Sequence, residues 1–129
     1  MQYMLLIYGV EKSWHSMPPA EITKVMQAYE SYSKELAASG ALRGGSELAP
    51  IASATTVRVR NGKVSVTDGP FAETKEQLAG FYMIEARDLN EAIQIASKIP
   101  PARVGCVEVR PIRPIRDTVA EAGLQKQMK

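Results

Sequence analysis

Two amphipathic helical segments, each lying between short strand-like runs, constrain the fold of this 129-residue chain more than any other feature. The first follows Pro18–Pro19 and ends at Ser39–Gly40, where proline suits the first turn of a helix and glycine the residue after its last turn. The second follows Asp88, which with Glu91 predicts a capping box, and stops at Pro100–Pro101. Apolar residues recur along both segments at three- and four-residue spacing, which predicts two helices with one buried face each.

Short apolar runs predict the strands around these helices. They are residues 2–8, 41–48, 55–60, 63–67, 80–86 and 104–110, of which residues 41–48 are ambiguous because Gly44 and Gly45 weaken a strand there. The third and fourth runs flank Asn61–Gly62, the strongest short signal for a β-hairpin. In such a hairpin the four valines share one face and the two arginines take the other: Val57, Val59, Val64 and Val66 against Arg58 and Arg60.

Without the hairpin, the elements follow the order strand, helix, strand, strand, helix, strand, which is the ferredoxin-like βαββαβ order. We therefore predict an α+β fold in which both helices cover one face of an antiparallel sheet and the hairpin is an insertion. Apolar residues on the other sheet face also need a cover, and two-fold pairing of such faces supplies one. The prediction is thus a homodimer of the dimeric α+β barrel type.

Composition excludes several classes of protein. The 16 basic and 14 acidic residues give a net charge of +2, which does not favour a nucleic-acid binder. The single cysteine, Cys106, cannot form an intrachain disulfide and fits a reduced cytoplasmic setting. No apolar run approaches the roughly 20 residues of a membrane helix. We expect a cytoplasmic protein that binds neither nucleic acid nor membranes.

The stretch of residues 68–82, DGPFAETKEQLAGFY, links the hairpin to the next strand. Its Asp-Gly-Pro opening is typical of a turn, and Asp68 ends a strand where a carboxylate can face a cleft. Phe71 would offer an apolar wall beside that carboxylate, and Phe81 and Tyr82 would return aromatic surface to the same region. Two interpretations are open: these residues line a ligand pocket, or the opening only makes the turn and Phe71 only anchors it.

Two further side chains are candidates for chemistry. His15 is the only imidazole, so an acid–base mechanism based on histidine must use it, although a lone loop histidine also suits an ordinary surface. Tyr29 lies on the apolar face of the first helix, where it could bind a ligand or simply fill the core. The sequence has no phosphate-binding loop, dinucleotide glycine pattern or zinc-protease motif, and we expect no cofactor and no metal.

The central stretch resembles the signature of the DGPF proteins, a branch of the YCII-related family. Residues 1–9, 54–62 and 107–112 are also similar to that family and occur in the same order. The resemblance covers residues 1–115 and leaves residues 116–129 as a C-terminal tail. It implies a small ferredoxin-like domain that dimerises and is often near or fused to extracytoplasmic-function sigma factors. It implies no settled reaction.

Better-studied YCII-type relatives resemble enzymes with a His–Asp pair, the His in the first helix and the Asp just before the last strand. Alignment of the helix ends at Gly40 places Tyr29 near the His position and Ile99–Pro100 near the Asp position. Neither residue type is present, so the pair is not carried over. Tyr29 could act as a hydrogen-bond donor, but a phenol with an ordinary pKa of about 10 is a poor base.

These observations predict a small-molecule-binding or enzyme-like cytoplasmic domain of unestablished reaction, with its pocket between the sheet, the first helix and the central stretch. Asp68 and His15 are the catalytic candidates. The ligand-binding candidates are Tyr29, Phe71, Phe81 and Tyr82. The alternative is a non-catalytic regulatory protein that interacts with partners in sigma-factor signalling.

Overall fold

The computed structural model describes residues 1–100 and 105–128, with side chains described as far as residue 123. The strands are β1 (Gln2–Gly9), β2 (Leu42–Glu47), β3 (Thr55–Arg60), β4 (Lys63–Asp68), β5 (Gln77–Glu85) and β6 (Cys106–Pro111). The helices are α1 (Glu11–His15), α2 (Pro19–Ala38), α3 (Leu89–Ser97) and α4 (Ile115–Met128), with a 3₁₀ turn at Ile51–Ser53.

Four strands form one antiparallel sheet in the order β2-β5-β1-β6. β1 lies inside it, where Leu5 is opposite Tyr82 of β5 and Val109 of β6. Because successive side chains of a strand point to opposite faces, the alternation of β1 and β5 puts one apolar set on each side of the sheet. The predicted α+β fold with an antiparallel sheet is confirmed.

The core lies between one sheet face and the helices α2 and α3. Its buried members are Tyr3, Leu5, Ile7, Leu36, Tyr82, Ile84, Ala86, Ala92, Ala96 and Ile99. Leu5, Ile84 and Ile99 are wholly excluded from solvent. Burial of one such aliphatic side chain stabilises the fold by about 1.5–3 kcal/mol, so these contacts hold both helices on this face.

The helix ends follow local chemistry. α2 begins at Pro19 and is followed by Gly40 with φ +81°, the left-handed conformation that glycine adopts easily. At α3 the Glu91 N–H donates to Asp88 Oδ1 at 2.9 Å. The Glu91 carboxylate accepts from the Arg87 N–H at 3.0 Å, one residue before the cap. The predicted capping by Asp88 is confirmed, and Glu91 reaches one residue further back than a capping box requires.

The hairpin is a separate two-stranded sheet of β3 and β4. Asn61 (φ 53°) and Gly62 (φ 76°) both have the positive φ that a two-residue type I′ turn needs. Val57 is opposite Val66 and Val59 opposite Val64, so the predicted valine face is confirmed. These four valines, which we call the valine face, are 57–68% exposed.

Several boundaries differ from the sequence-based expectation. Residues 10–17 show no regular apolar pattern, yet they contain α1, whose five residues are too few to show a helical period. β5 begins at Gln77, three residues before the predicted strand, and the C-terminal tail contains the helix α4, which begins at Ile115. β6 begins at Cys106, and residue 104 lies outside the described residues. Of the helices described here, none has the length and apolar character needed to cross a membrane.

Candidate functional site

A cavity of about 320 Å³ lies at one end of the helix-covered sheet face. Its floor includes Ile7 of β1 and Gly80 of β5, which are opposite each other in the sheet. Its walls come from α1, from the middle of α2 and from the chain just after β2: Trp14, His15, Val25, Met26, Tyr29 and Leu48. Most of this lining is apolar or aromatic, and the polar groups are few.

Two long-range hydrogen bonds hold α1 at the cavity. The Glu11 N–H donates to Gln77 Oε1 at 3.0 Å, and the Ile51 N–H donates to Glu11 Oε1 at 2.9 Å. Gln77 is itself oriented by its Nε2, which donates to the Thr74 carbonyl at 2.7 Å. Because a helix this short is not stable by itself, these tertiary contacts place Trp14 at the cavity wall.

Gly80 allows β2 and β5 to approach each other closely at the floor of the cavity. An added Cβ there would lie 2.9 Å from the Ser46 carbonyl oxygen and 3.5 Å from Glu47 Cα. The adjacent strands approach closely because the Leu48 N–H donates to the Ala79 carbonyl at 2.8 Å. A side chain at residue 80 would therefore push β2 away from β5 and change the shape of the cavity.

A second, more open groove of about 430 Å³ lies beside the cavity at the edge strand β2. Tyr29 and Glu47 line both spaces. The rings of Tyr29 and Tyr82 are 5.4 Å apart and tilted by 53°, and the Tyr82 hydroxyl shares a hydrogen bond with Ser33 Oγ. Gly45 makes room for the Tyr82 ring, since a Cβ at residue 45 would come within 2.7 Å of it.

The tyrosines of α2 are hydrogen-bond donors rather than bases. Burial raises the pKa of Tyr29 well above its ordinary value, and the neighbouring Tyr82 phenol and Glu47 carboxylate raise it further. Burial also raises the pKa of Tyr32 to about 12, with a smaller effect from Glu35. The Tyr32 hydroxyl donates to the Ile95 carbonyl at 2.7 Å and so joins α2 to α3, whereas the Tyr29 phenol faces the two spaces described above.

The structure brings together some of the predicted site residues. His15 and Tyr29 line the cavity, and Tyr82 lines the groove with Tyr29. Phe81 is half-buried and points to the other face of β5 from Tyr82. Asp68 is exposed at the end of β4 and Phe71 is 80% exposed. Within residues 1–100 and 105–128, neither Asp68 nor Phe71 lines either space, and the expected packing of Phe71 is not found.

Sequence reasoning missed three polar residues of the site: Glu11, Glu47 and Gln77. Gln77 lies inside the central stretch, and its contact with Glu11 spans 66 residues. Glu47 lies at the end of β2, where the glycines obscured the strand. Only Gln77 carried a usable signal, because a polar residue at the start of a strand can bind a neighbouring backbone.

The described residues add no support for metal binding or for chemistry of the Cys106 thiol. In the described part of the chain, no three His, Cys, Asp or Glu residues are grouped to hold a metal ion. The exposed Cys106 donates its S–H to Glu76 Oε2 at 3.2 Å, and this hydrogen bond raises the pKa of the thiol. A raised pKa lowers the thiolate fraction, and the thiol is therefore a weaker nucleophile.

Comparison with known proteins finds two similarities. Residues 1–116 match the family model described as the YCII-related domain. An uncharacterised protein of Rhizobium meliloti (strain 1021) is 37% identical over 114 residues, which cover 87% of this chain and 92% of that protein. The matched residues include the whole sheet, the hairpin and every residue of the cavity.

Proposed function

This chain belongs to the YCII-related family, and we propose that it is a small-molecule-binding, enzyme-like cytoplasmic protein whose ligand occupies the cavity at His15 and Tyr29. One observation carries the proposal: an apolar, aromatic-lined cavity of about 320 Å³ onto which a few polar side chains converge. Ligand sites in proteins have this character and occupy about 300–1,000 Å³. On the sequence of residues 68–82 we assign the chain to the DGPF branch of the family.

The polar groups of the lining have different roles in binding. Tyr29 keeps its proton and donates a hydrogen bond to a ligand oxygen or nitrogen, because burial raises its pKa. His15 is the group that can exchange a proton with such a ligand. The indole of Trp14 supplies a flat apolar wall, which suits a planar ligand. For Asp68, Phe71 and Phe81 a role at the site stays a prediction to which the cavity adds no support.

A binding measurement tests this proposal. Small aromatic compounds are screened by ligand-detected NMR, and the hits are titrated against the protein and its Tyr29→Phe variant. We expect Tyr29→Phe to weaken binding about three- to tenfold, the value of one hydrogen bond. Tyr32→Phe is the matched control, since its phenol bonds Ile95 outside the cavity. If the Tyr29→Phe variant and a Trp14→Ala variant both bind the hits as tightly as the original protein does, the cavity is rejected as the site.

We also propose a ferredoxin-like arrangement and a homodimer formed through the uncovered sheet face. The strand order β2-β5-β1-β6 supports the first. The second rests on four half-buried residues opposite the helices, Met4 and Leu6 of β1 and Phe81 and Met83 of β5. Light scattering should report twice 14.1 kDa, and Leu6→Glu should give the monomer. A monomeric original protein at micromolar concentration would contradict the dimer.

The valine face favours a second candidate function, a regulatory interaction with another protein. Its four side chains are 57–68% exposed, and exposed apolar patches mark interaction surfaces. The partner suggested by the family resemblance is an extracytoplasmic-function sigma factor from the same organism. Calorimetry with that purified protein should show binding that Val57→Ser with Val64→Ser abolishes, while Tyr29→Phe leaves it intact. Absence of heat with the original protein would remove this candidate.

A further inference from the structure

We infer that the ligand of the cavity carries a positive charge and is a small amine with an aromatic or aliphatic body. The inference deepens the proposed function and rests on it. The cavity lining contains two carboxylates, Glu11 and Glu47, and among the described residues it contains neither lysine nor arginine. The charge that this lining offers to a ligand is therefore negative.

The two carboxylates have oxygens available to a ligand. Glu11 is half-buried, and its Oε1 is occupied by the Ile51 N–H, which leaves Oε2 for a further donor. Glu47 lies close enough to the Tyr29 phenol for its charge to disfavour ionisation of that phenol. An ammonium group supplies three N–H donors and a charge of the required sign. Hydrogen bonds between an ammonium and a carboxylate are about twice as strong as neutral ones.

Aromatic rings favour the same charge. Tyr8, Trp14 and Tyr29 all contribute to the lining. The face of an aromatic ring carries partial negative charge and attracts a cation that lies within about 6 Å of its centre. The apolar side chains Val25, Met26 and Leu48 complete the lining and suit the uncharged body of the ligand. Head and body of an amine thus both find matching surfaces.

An anionic ligand fits this lining poorly. Of the described lining residues, only His15 is able to carry a positive charge, and it is exposed, as is Glu47, whereas Glu11 is half-buried. A carboxylate ligand would have to enter beside Glu11 and Glu47, and repulsion between like charges grows as water is excluded. Uncharged donors of the lining, such as the Tyr8 and Tyr29 phenols, would have to offset most of that repulsion. A neutral ligand avoids the repulsion but leaves Glu11 and Glu47 without a partner of opposite charge, although the Ile51 N–H still bonds Glu11.

Three probes with the same ring and different charge test the sign. Benzylamine is a cation at neutral pH, benzyl alcohol is neutral and benzoate is an anion. We expect benzylamine to bind with a Kd about tenfold below that of benzyl alcohol, and benzoate to bind most weakly. Titrations use the full chain and are followed by ¹H–¹⁵N NMR shifts of cavity amides.

Charge-removing variants locate the effect. Glu47→Gln and Glu11→Gln should each reduce the preference for benzylamine over benzyl alcohol by about threefold or more, while benzyl alcohol itself binds unchanged. The glutamine at position 11 keeps an oxygen for the Ile51 N–H, so α1 should stay in place. Glu30→Gln is the matched control, because Glu30 is exposed on α2 and pairs with Lys34 outside the cavity.

The outcomes separate this inference from the proposed function. Benzyl alcohol or benzoate binding as well as benzylamine, at a site sensitive to Tyr29→Phe, would overturn the inferred charge and leave the proposed function standing. A benzylamine preference that survives both glutamate substitutions would also overturn it. Failure of all three probes at millimolar concentration, or binding insensitive to both Tyr29→Phe and Trp14→Ala, would remove both proposals together.

Discussion

The four-stranded sheet and the β3–β4 hairpin carry the same alternation of apolar residues but differ fully in burial. Leu5 and Ile84 of the sheet are 0% exposed, whereas Val64 of the hairpin is 68% exposed. The strands β1 and β5 of the sheet and the strands β3 and β4 of the hairpin each form an antiparallel ladder. Alternation therefore tells which residues share a face, and it does not tell whether anything covers that face.

The difference comes from chain connections. α2 links β1 to β2 and α3 links β5 to β6, so each helix must return across the sheet it connects. The hairpin is joined by the 3₁₀ turn on one side and by the central stretch on the other, and neither packs on its valines. An isolated two-stranded hairpin has little stability in water. The comparison thus predicts an unequal stability for the two regions.

The largest expected effect separates the two regions directly. Ile84→Ala should lower the free energy of unfolding by about 2–5 kcal/mol, because it leaves a cavity in the core. Val64→Ala in the hairpin should change it by no more than about 0.5 kcal/mol. Urea unfolding followed by circular dichroism measures both. A cost for Val64→Ala near that of Ile84→Ala would mean that the valine face is covered in solution.

A smaller effect tests whether the hairpin opens independently. Gly62 has φ 76°, which costs an alanine about 1 kcal/mol. Gly62→Ala should speed amide hydrogen exchange in β3 and β4 and leave exchange in β1 and β5 as it was. Gly123→Ala is the control, since nothing lies within 4 Å of its added Cβ and it is in a helix. Faster exchange in both sheets would show that they unfold as one unit.

A third prediction concerns the helix-covered region and is visible only in alkali. Burial raises the pKa of Tyr32 to about 12, above the value of about 10 in the unfolded chain. The folded state therefore keeps a proton that the unfolded state loses, and the stability should fall as the pH rises from about 10 to about 12. Tyr32→Phe should make this fall less steep. If the stability of the original protein and that of Tyr32→Phe depend equally on pH, the fall does not come from Tyr32.

The smallest effect is expected at an exposed position of the main sheet itself. Cys106 is exposed, and a serine hydroxyl can replace its hydrogen bond to Glu76. Cys106→Ser should change the free energy of unfolding by less than about 0.5 kcal/mol. Thermal unfolding measures this change. Val107→Ala, measured alongside, should lower the stability more, because Val107 packs on the core. A large loss for Cys106→Ser would place the thiol in an interface.

Much of the fold could be predicted because its signals are local. Asn61–Gly62, Asp88 and Gly40 each act within a few residues through positive φ or a capping hydrogen bond. The site was harder. His15 and Tyr29 could be proposed from residue type, but Glu11 and Glu47 could not, because their positions at the cavity follow from the placement of α1 and β2. Phe71 is the opposite case. Its motif suggested a residue that lines a pocket or anchors the turn, but in the structure its side chain is 80% exposed.

Residue order alone determines where most of the helices and strands lie and which side chains share a face, since these depend on backbone torsions and on contacts between near neighbours. The cavity depends on contacts far apart in the chain. Gln77 holds α1 through Glu11 across 66 residues, and Tyr29 meets Tyr82 from another element. Such contacts close long loops, and packing of the core must offset the entropic cost of that closure. No local pattern encodes them.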